Sequence, residues 1–305
     1  MATLSALDGR SGPATVVLTD SGLGGLLICA ELERRLRDSA GAGPVRLVYV
    51  NAWPDEGYGY NDLPDLAARA AVFDRALDAM TSFRPGLILI ACNTLSVVYE
   101  ATAFARAPSV PVAGVLDEGT DLFGQALIRD PAGVLALFGT RTTIGSGEHA
   151  RRLARRGVDP GRVFAEPCHG LAAAVDKDPG SAAVPGLVDA CVLRVVPRLP
   201  AGAPVYAGLA CTHYAYIADV FRNSLTRHTG AKIEILDPGR RFIDRLTSGL
   251  AARRAGAGER DVSVEIVSKV DLGEAQRRAV GRRLEPLSAR TARALFAYIH
   301  VPVLF

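Results

Sequence analysis

The stretch LILIACNTLSVV, residues 87–98, passes from an aliphatic run through Ala-Cys-Asn-Thr into a helical pattern. An apolar run of this length, with no polar alternation inside it, reads as a strand covered on both faces. Residues 205–217, VYAGLACTHYAYI, repeat the plan: an apolar run, Ala-Cys, then a polar pair. The two cysteines, Cys92 and Cys211, are 211 − 92 = 119 residues apart. VVLTDSG (16–22) matches LALFGTR (135–141) at the same offset of 119, and GVLDEG (114–119) matches EILDPG (234–239) at 120. One such match is within reach of chance. Three at one spacing point to a duplicated unit, the kind of regularity that decides a whole fold.

Around these anchors, short aliphatic runs alternate with helical segments. Val16–Thr19 reads as a strand leading into a glycine-rich turn, 24–37 as a helix, Arg46–Val50 as a strand, 62–83 as helical and Leu87–Ala91 as a third strand. Buried strands spaced by helices define an α/β chain with parallel sheets. The expected architecture is two pseudo-symmetric, doubly wound parallel-sheet units facing across a cleft. Ligands of such sheets sit beyond the carboxyl ends of the strands. Cys92 and Cys211, each at a strand exit, would then approach one ligand from opposite sides.

The rest of the composition sets bounds. The 305 residues are 49% hydrophobic and 22% charged, ordinary values for a globular chain of one large or two smaller domains. A formal net charge of +3 gives no reason to expect a nucleic-acid partner. No run of 18 uncharged apolar residues occurs, so no membrane partner is expected. The first residues, MATLSALDGRSGPAT, lack the apolar core of a signal peptide, which places the expected location in the cytoplasm. The five cysteines are widely spaced with no C-x₂₋₄-C pair, so free thiols are expected and no metal site. Arg277, Arg278, Arg282 and Arg283 lie in a helical pattern and read as a solvated face, a partner surface being the alternative.

A thiol at a helix start feels unpaired N–H groups and the positive end of the helix dipole, which favours thiolate. Two thiols on opposite faces of one carbon suit proton removal by one and delivery by the other, with inversion. General acid–base catalysis supplies roughly a hundred- to ten-thousand-fold; the rest must come from fixed donors around the developing charge and from exclusion of water. Asn93 and Thr94 behind Cys92, and Thr212 and His213 behind Cys211, are such donors. Asp20 and Ser21 stand at the first strand's exit, where an ammonium group could be held, and Ser21 corresponds to Thr140 across the repeat. A buried free cysteine is ordinarily a small core hydrophobe, and that reading is kept for Cys29 and Cys191. Asn and Thr after a strand are ordinarily helix caps, a role compatible with binding.

At these residues the chain resembles the glutamate racemases of the aspartate/glutamate racemase superfamily. The resemblance is carried by TDSGLGG (19–25), GYG (57–59), ACNT (91–94), GVLDEG (114–119), FGTRTTIGS (138–146), ACTHY (210–214) and LDPG (236–239), and covers roughly residues 15–240. It implies racemisation without a cofactor, with Cys92 and Cys211 as the catalytic thiols. Asp20 and His213 would assist proton movement, and a second strand-exit acid, usually Glu, falls on Asp176. Ser21, Asn93, Thr94, Thr143 and Thr212 would hold the substrate, and Tyr58 and Gly59 would bind a carboxylate partly through backbone N–H groups. It also implies a discontinuous first domain, 1–110 plus 222–305, with 111–221 as the second. The expected partner is a small amino-acid substrate, with a homodimer left open. The resemblance further implies a supply of D-glutamate for peptidoglycan.

Several positions depart from the family. Ala52 and Trp53 replace an Asp-Thr pair, YND (60–62) replaces a basic residue and Ser, and Cys168-His169 stands where Cys-Pro is common. These changes spare the thiol chemistry but reopen the substrate. Aspartate racemisation, another small-diacid isomerisation, and a low-turnover binding or regulatory role on the same fold are the alternatives. DSGLGG lacks the lysine and the spacing of a nucleotide loop.

Overall fold

The computed structural model describes residues 14–40, 43–251 and 258–305. Among the described residues, ten strands form two all-parallel sheets: β1 (Ala14–Asp20), β2 (Val45–Asn51), β3 (Leu87–Ile90), β4 (Val112–Gly114), β5 (Val134–Gly139), β6 (Val163–Pro167), β7 (Val205–Ala210), β8 (Ile233–Leu236), β9 (Val262–Ser268) and β10 (Ile299–His300). The first sheet runs β10-β9-β2-β1-β3-β4 and the second β6-β5-β7-β8. The second sheet therefore repeats, strand for strand, the β2-β1-β3-β4 portion of the first, which is the duplication the 119-residue spacing announced.

The strands read as unbroken apolar runs because both faces are covered. In β1, Val16 and Leu18 enter one hydrophobic cluster and Val17 the other. In β5, Val134, Ala136 and Phe138 face one cluster while Leu135 and Leu137 face its opposite. Alternation is present as geometry but not as polarity, since each residue finds apolar cover. Each fully buried large aliphatic side chain contributes roughly 1.5–3 kcal/mol.

Sheet membership corrects the expected boundaries at 111 and 222. β4 pairs with β3 in the first sheet, and β8 pairs with β7 in the second. The chain crosses between units just after each of these strands, along the helices Val115–Arg129 and Pro238–Leu246. These begin in the third pair of repeated motifs, so the motif marks the crossing points. The two crossing helices lie against each other: a Cβ on Gly119 would stand 3.1 Å from Pro238, and Arg245 reaches Glu118 at 2.9 Å. β9 and β10 then extend the first sheet from the far end of the chain. Among the described residues, no helix is long and apolar enough to cross a membrane.

Candidate active site

The carboxyl ends of β1, β3, β5 and β7 converge on a cavity of about 140 Å³. Cys92 and Cys211 both line it, and both are buried. All five cysteines are free thiols.

The first half of the site is built on β1 and β3. Cys92 caps the helix Asn93–Tyr99, its sulfur accepting the Leu95 N–H at 3.5 Å. Ser21 Oγ lies 3.3 Å from the same sulfur. Asp20, with no exposure at all, takes N–H bonds from Ser21 at 2.6 Å and Gly25 at 2.5 Å. Burial raises its carboxyl pKa, against the lowering by His213 and by hydrogen bonds from Cys92, Thr212 and Gly25. The expectation that a helix start favours thiolate fails at Cys92: burial, then the charge of Asp20, holds its pKa well above the usual thiol range. Bonds from Ser21 and Leu95 pull the other way without prevailing. A helix terminus acts through partial charges, and a whole neighbouring carboxylate in a dry site outweighs it.

The second half is built on β7. Cys211 is followed by a 3₁₀ turn, Thr212–Ile217, and its sulfur caps nothing. It lies instead 3.7 Å from His213 Nδ1. His213 Nε2 lies 2.7 Å from Asp176 Oδ1, and this acceptor places the ring proton on Nε2. Burial opposes charging the ring, but the hydrogen bonds to Asp176 and Cys211 hold its pKa well above the usual histidine value. The arrangement lets imidazole take the thiol proton of Cys211, with Asp176 stabilising the imidazolium.

The two halves touch. Thr212 Oγ1 donates to Asp20 Oδ2 at 2.8 Å, joining the residue beside one thiol to the acid beside the other. The glycine-rich turn makes this approach possible. A Cβ on Gly24 would stand 2.6 Å from His213 Nδ1 and 2.7 Å from Thr212 Oγ1, and one on Gly22 2.8 Å from Asp176 Oδ1. The glycines leave room for the opposite unit rather than for a phosphate.

Asn93 lines the cavity and is buried, yet neither its amide nitrogen nor its oxygen has a partner. A buried amide left unpaired costs roughly 1–3 kcal/mol per group, a cost that a hydrogen-bonding group in the cavity would relieve. Thr94 bonds the hydroxyls of Thr140 at 2.9 Å and Thr143 at 3.2 Å. Thr94 and Thr140 line the cavity; Thr143 braces them from behind. Gly59 lines the cavity, but Tyr58 does not; its side chain is 42% exposed, beyond the wall. The Gly59 N–H donates to Asp62 Oδ2 at 2.8 Å, so the amide expected to meet a substrate carboxylate already has one. Trp53 forms part of the wall, its ring 2.9 Å from where a Cβ of Gly59 would stand. Cys168 and His169 both line the cavity, Cys168 buried in the second unit's core with Cys191 and His169 exposed.

Sequence reasoning missed Arg141, Asn61 and Gln276. Arg141 is the one fixed cation among the described residues lining the cavity. Asn61 Oδ1 accepts the Thr142 N–H at 3.1 Å, and the Asn61 carbonyl accepts from Arg141 at 3.3 Å, tying the two units across the mouth. Gln276 Nε2 donates to Asp176 Oδ2 at 2.6 Å. Arg141 stands within FGTRTTIGS and Asn61 within YND, yet neither stretch gave them a role, because each of the three residues acts across a contact between distant segments. Among the described residues no group of three His, Cys, Asp or Glu side chains is placed to hold a metal ion.

No protein-family profile matches the chain. It is 32% identical over 260 residues to a glutamate racemase of Ruegeria sp. (strain TM1040), covering 78% of this chain and 86% of that one. It is 31% identical over 249 residues to a glutamate racemase of Pseudomonas putida (strain W619), covering 80% and 83%. The fold is similar to the solved structure of glutamate racemase from Francisella tularensis subsp. tularensis SCHU S4 in complex with D-glutamate. There the TM-score is 0.67 and the identity 17%, over 96% of this chain and 98% of that one.

Proposed function

The chain belongs to the glutamate racemase family, and from that premise we propose that this isomerase interconverts L- and D-glutamate through Cys92 and Cys211. The observation that carries the reading is a single cavity lined by two buried thiols from equivalent strand exits, with the unpaired Asn93 amide beside one of them. One thiol removes the Cα proton and the other returns a proton from the opposite face. Asp20 serves the Cys92 side. The His213–Asp176 pair serves the Cys211 side. Asn93 and Thr94 are the side-chain donors available to the α-carboxylate, where charge develops as the proton leaves, the Thr212 hydroxyl being given to Asp20. Ser21 and Asp20 are placed for the ammonium group. The reaction as written needs no cofactor. We further infer a cytoplasmic setting, where five free thiols stay reduced, and a product destined for peptidoglycan.

One feature favours a second substrate. Trp53 narrows the wall at Gly59, and Asp62 engages the Gly59 N–H. Both shorten the space for a distal carboxylate, which favours aspartate.

The test is Cα proton exchange in D₂O, followed by NMR, with both enantiomers of glutamate and of aspartate. Wild type, Cys92→Ala and Cys211→Ala are compared. Deuterium incorporation with inversion, lost in either variant, is the expected result, and the most rapidly exchanged acid names the substrate. A folded wild type that exchanges none of the four sinks the reading.

A further inference from the structure

Asp176 sits on the helix Leu171–Lys177 of the second unit, yet two of its three hydrogen-bond partners belong to the first. The Leu23 N–H, just beyond β1, donates to Oδ1 at 2.8 Å, beside His213 Nε2 at 2.7 Å. Gln276 Nε2 donates to Oδ2 at 2.6 Å. Gln276 lies 100 residues further along the chain, in the first turn of the helix Glu274–Leu284, and is half-buried. Both carboxylate oxygens are thus engaged, one by the imidazole and a backbone amide, the other by a side chain reaching across the cleft.

We propose that Gln276 is a positioning residue for the Cys211 half of the reaction: by holding Asp176, it fixes the imidazole that exchanges a proton with Cys211. The proposal rests on the two-thiol reading. Asp176 is shorter by a methylene than the glutamate usual at this place in the family. A short carboxylate reaching His213 depends more on what steadies it. Without Gln276, Oδ2 has no partner among the described residues, the carboxylate is free to rotate, and the ring loses its fixed bearing on the thiol. Displacements of about 1 Å in such groups cost up to a hundred-fold. The Cys92 half is unaffected, since Asp20 is held by Ser21, Gly25 and Thr212 and not by Gln276. Docking of the first unit on the second thereby completes the acid–base chain of the Cys211 half.

One-sided damage has a specific signature. Enantiomers are equal in free energy, so kcat/KM must stay equal in the two directions whatever is mutated. The asymmetry appears instead in isotope effects. For the enantiomer whose proton Cys211 removes, the Cα-deuterium effect rises. For the other, the solvent effect rises, since return of a proton by Cys211 becomes slow.

The experiment measures kcat, KM and both isotope effects for L- and D-glutamate on the full chain, in wild type, Gln276→Ala and Gln276→Glu, with thermal unfolding alongside. The expected result for Gln276→Ala is a kcat lower by roughly ten-fold, below the hundred- to ten-thousand-fold of an acid–base group itself, with a Cα-deuterium effect raised for one enantiomer only. Gln276→Glu sets a second carboxylate against Asp176 and is expected to lose more than Gln276→Ala. Isotope effects that stay unchanged or rise equally for both enantiomers, or a Gln276→Glu variant as active as wild type, overturn the proposal alone. A wild type without exchange on either glutamate overturns the two-thiol reading and this proposal with it.

Discussion

Cys92 and Cys211 end equivalent strands and are each followed by two polar residues, but their surroundings differ. At Cys92 an α-helix begins at once, the sulfur accepts a backbone N–H, and a carboxylate is the nearest acid–base group. At Cys211 a 3₁₀ turn begins, the sulfur caps nothing, and an imidazole backed by Asp176 lies beside it. One thiol is therefore held protonated by burial and a like charge, while the other has beside it an imidazole made more basic by its bonds to Asp176 and Cys211. Duplication supplied two thiols on opposite sides of a cavity; divergence of the residues around them supplied two different partners. For a reaction in which one group gives a proton while the other takes one, this inequality is useful, because the resting site needs one thiol in each role.

The comparison is broken most directly by removing each partner. Asp20→Asn and His213→Asn are each expected to lower kcat by on the order of a hundred-fold or more. The Cα-deuterium isotope effect should rise for opposite enantiomers in the two variants. A rise for the same enantiomer in both would show that the halves are not separately served. The Thr212–Asp20 bond couples them, so the double variant is expected to lose less than the product of the single losses.

Outside the site, the second unit carries a liability that sets its stability apart. His149 is buried with both ring nitrogens unpaired, and burial pushes its pKa from 6.5 down to about 4. Above pH 6.5 the ring is neutral in folded and unfolded chains alike, and stability is full. As pH falls from 6.5 to about 4 the unfolded chain takes up a proton that the folded one refuses, and roughly 3 kcal/mol is lost. His149→Leu is expected to flatten the denaturant-unfolding midpoint over that range, with little effect on racemisation at pH 8.

Gly24→Ala tests the contact between units. The new methyl meets His213 and Thr212 inside normal contact distance, so a kcat loss of roughly ten-fold is expected, with isotope-effect changes in both halves, since Thr212 is bonded to Asp20. Thr212→Val is the mildest change. It deprives the buried Asp20 carboxylate of one donor of several and is expected to lower stability by about 1 kcal/mol, read from the urea midpoint.

Much of this was legible beforehand. The α/β class, the duplication and the convergence of Asp20, Cys92, Cys211 and His213 follow from strand-length apolar runs and one repeated spacing. A strand's exit is a local property of sequence, so residues placed there keep their position in any chain of this fold. The exchange points were misplaced because β4 and β8 are short and carry nothing in their residues to say which sheet each joins; only pairing decides that. That Tyr58 lies outside the cavity wall was hidden for a similar reason, since three loop residues carry no periodicity to tell inside from outside.

The sequence by itself determined which residues stand at the strand exits, and with them the two thiols and their immediate neighbours. Only the tertiary structure decided how those neighbours act. Whether a thiol faces a carboxylate or an imidazole, and whether Gly59 offers its N–H or gives it to Asp62, depends on how the loops close at the strand exits; which distant glutamine steadies Asp176 depends on a contact across the cleft. That contact joins segments 100 residues apart, where hydrogen bonds and burial are set by packing of the two units and leave no periodic trace in the chain.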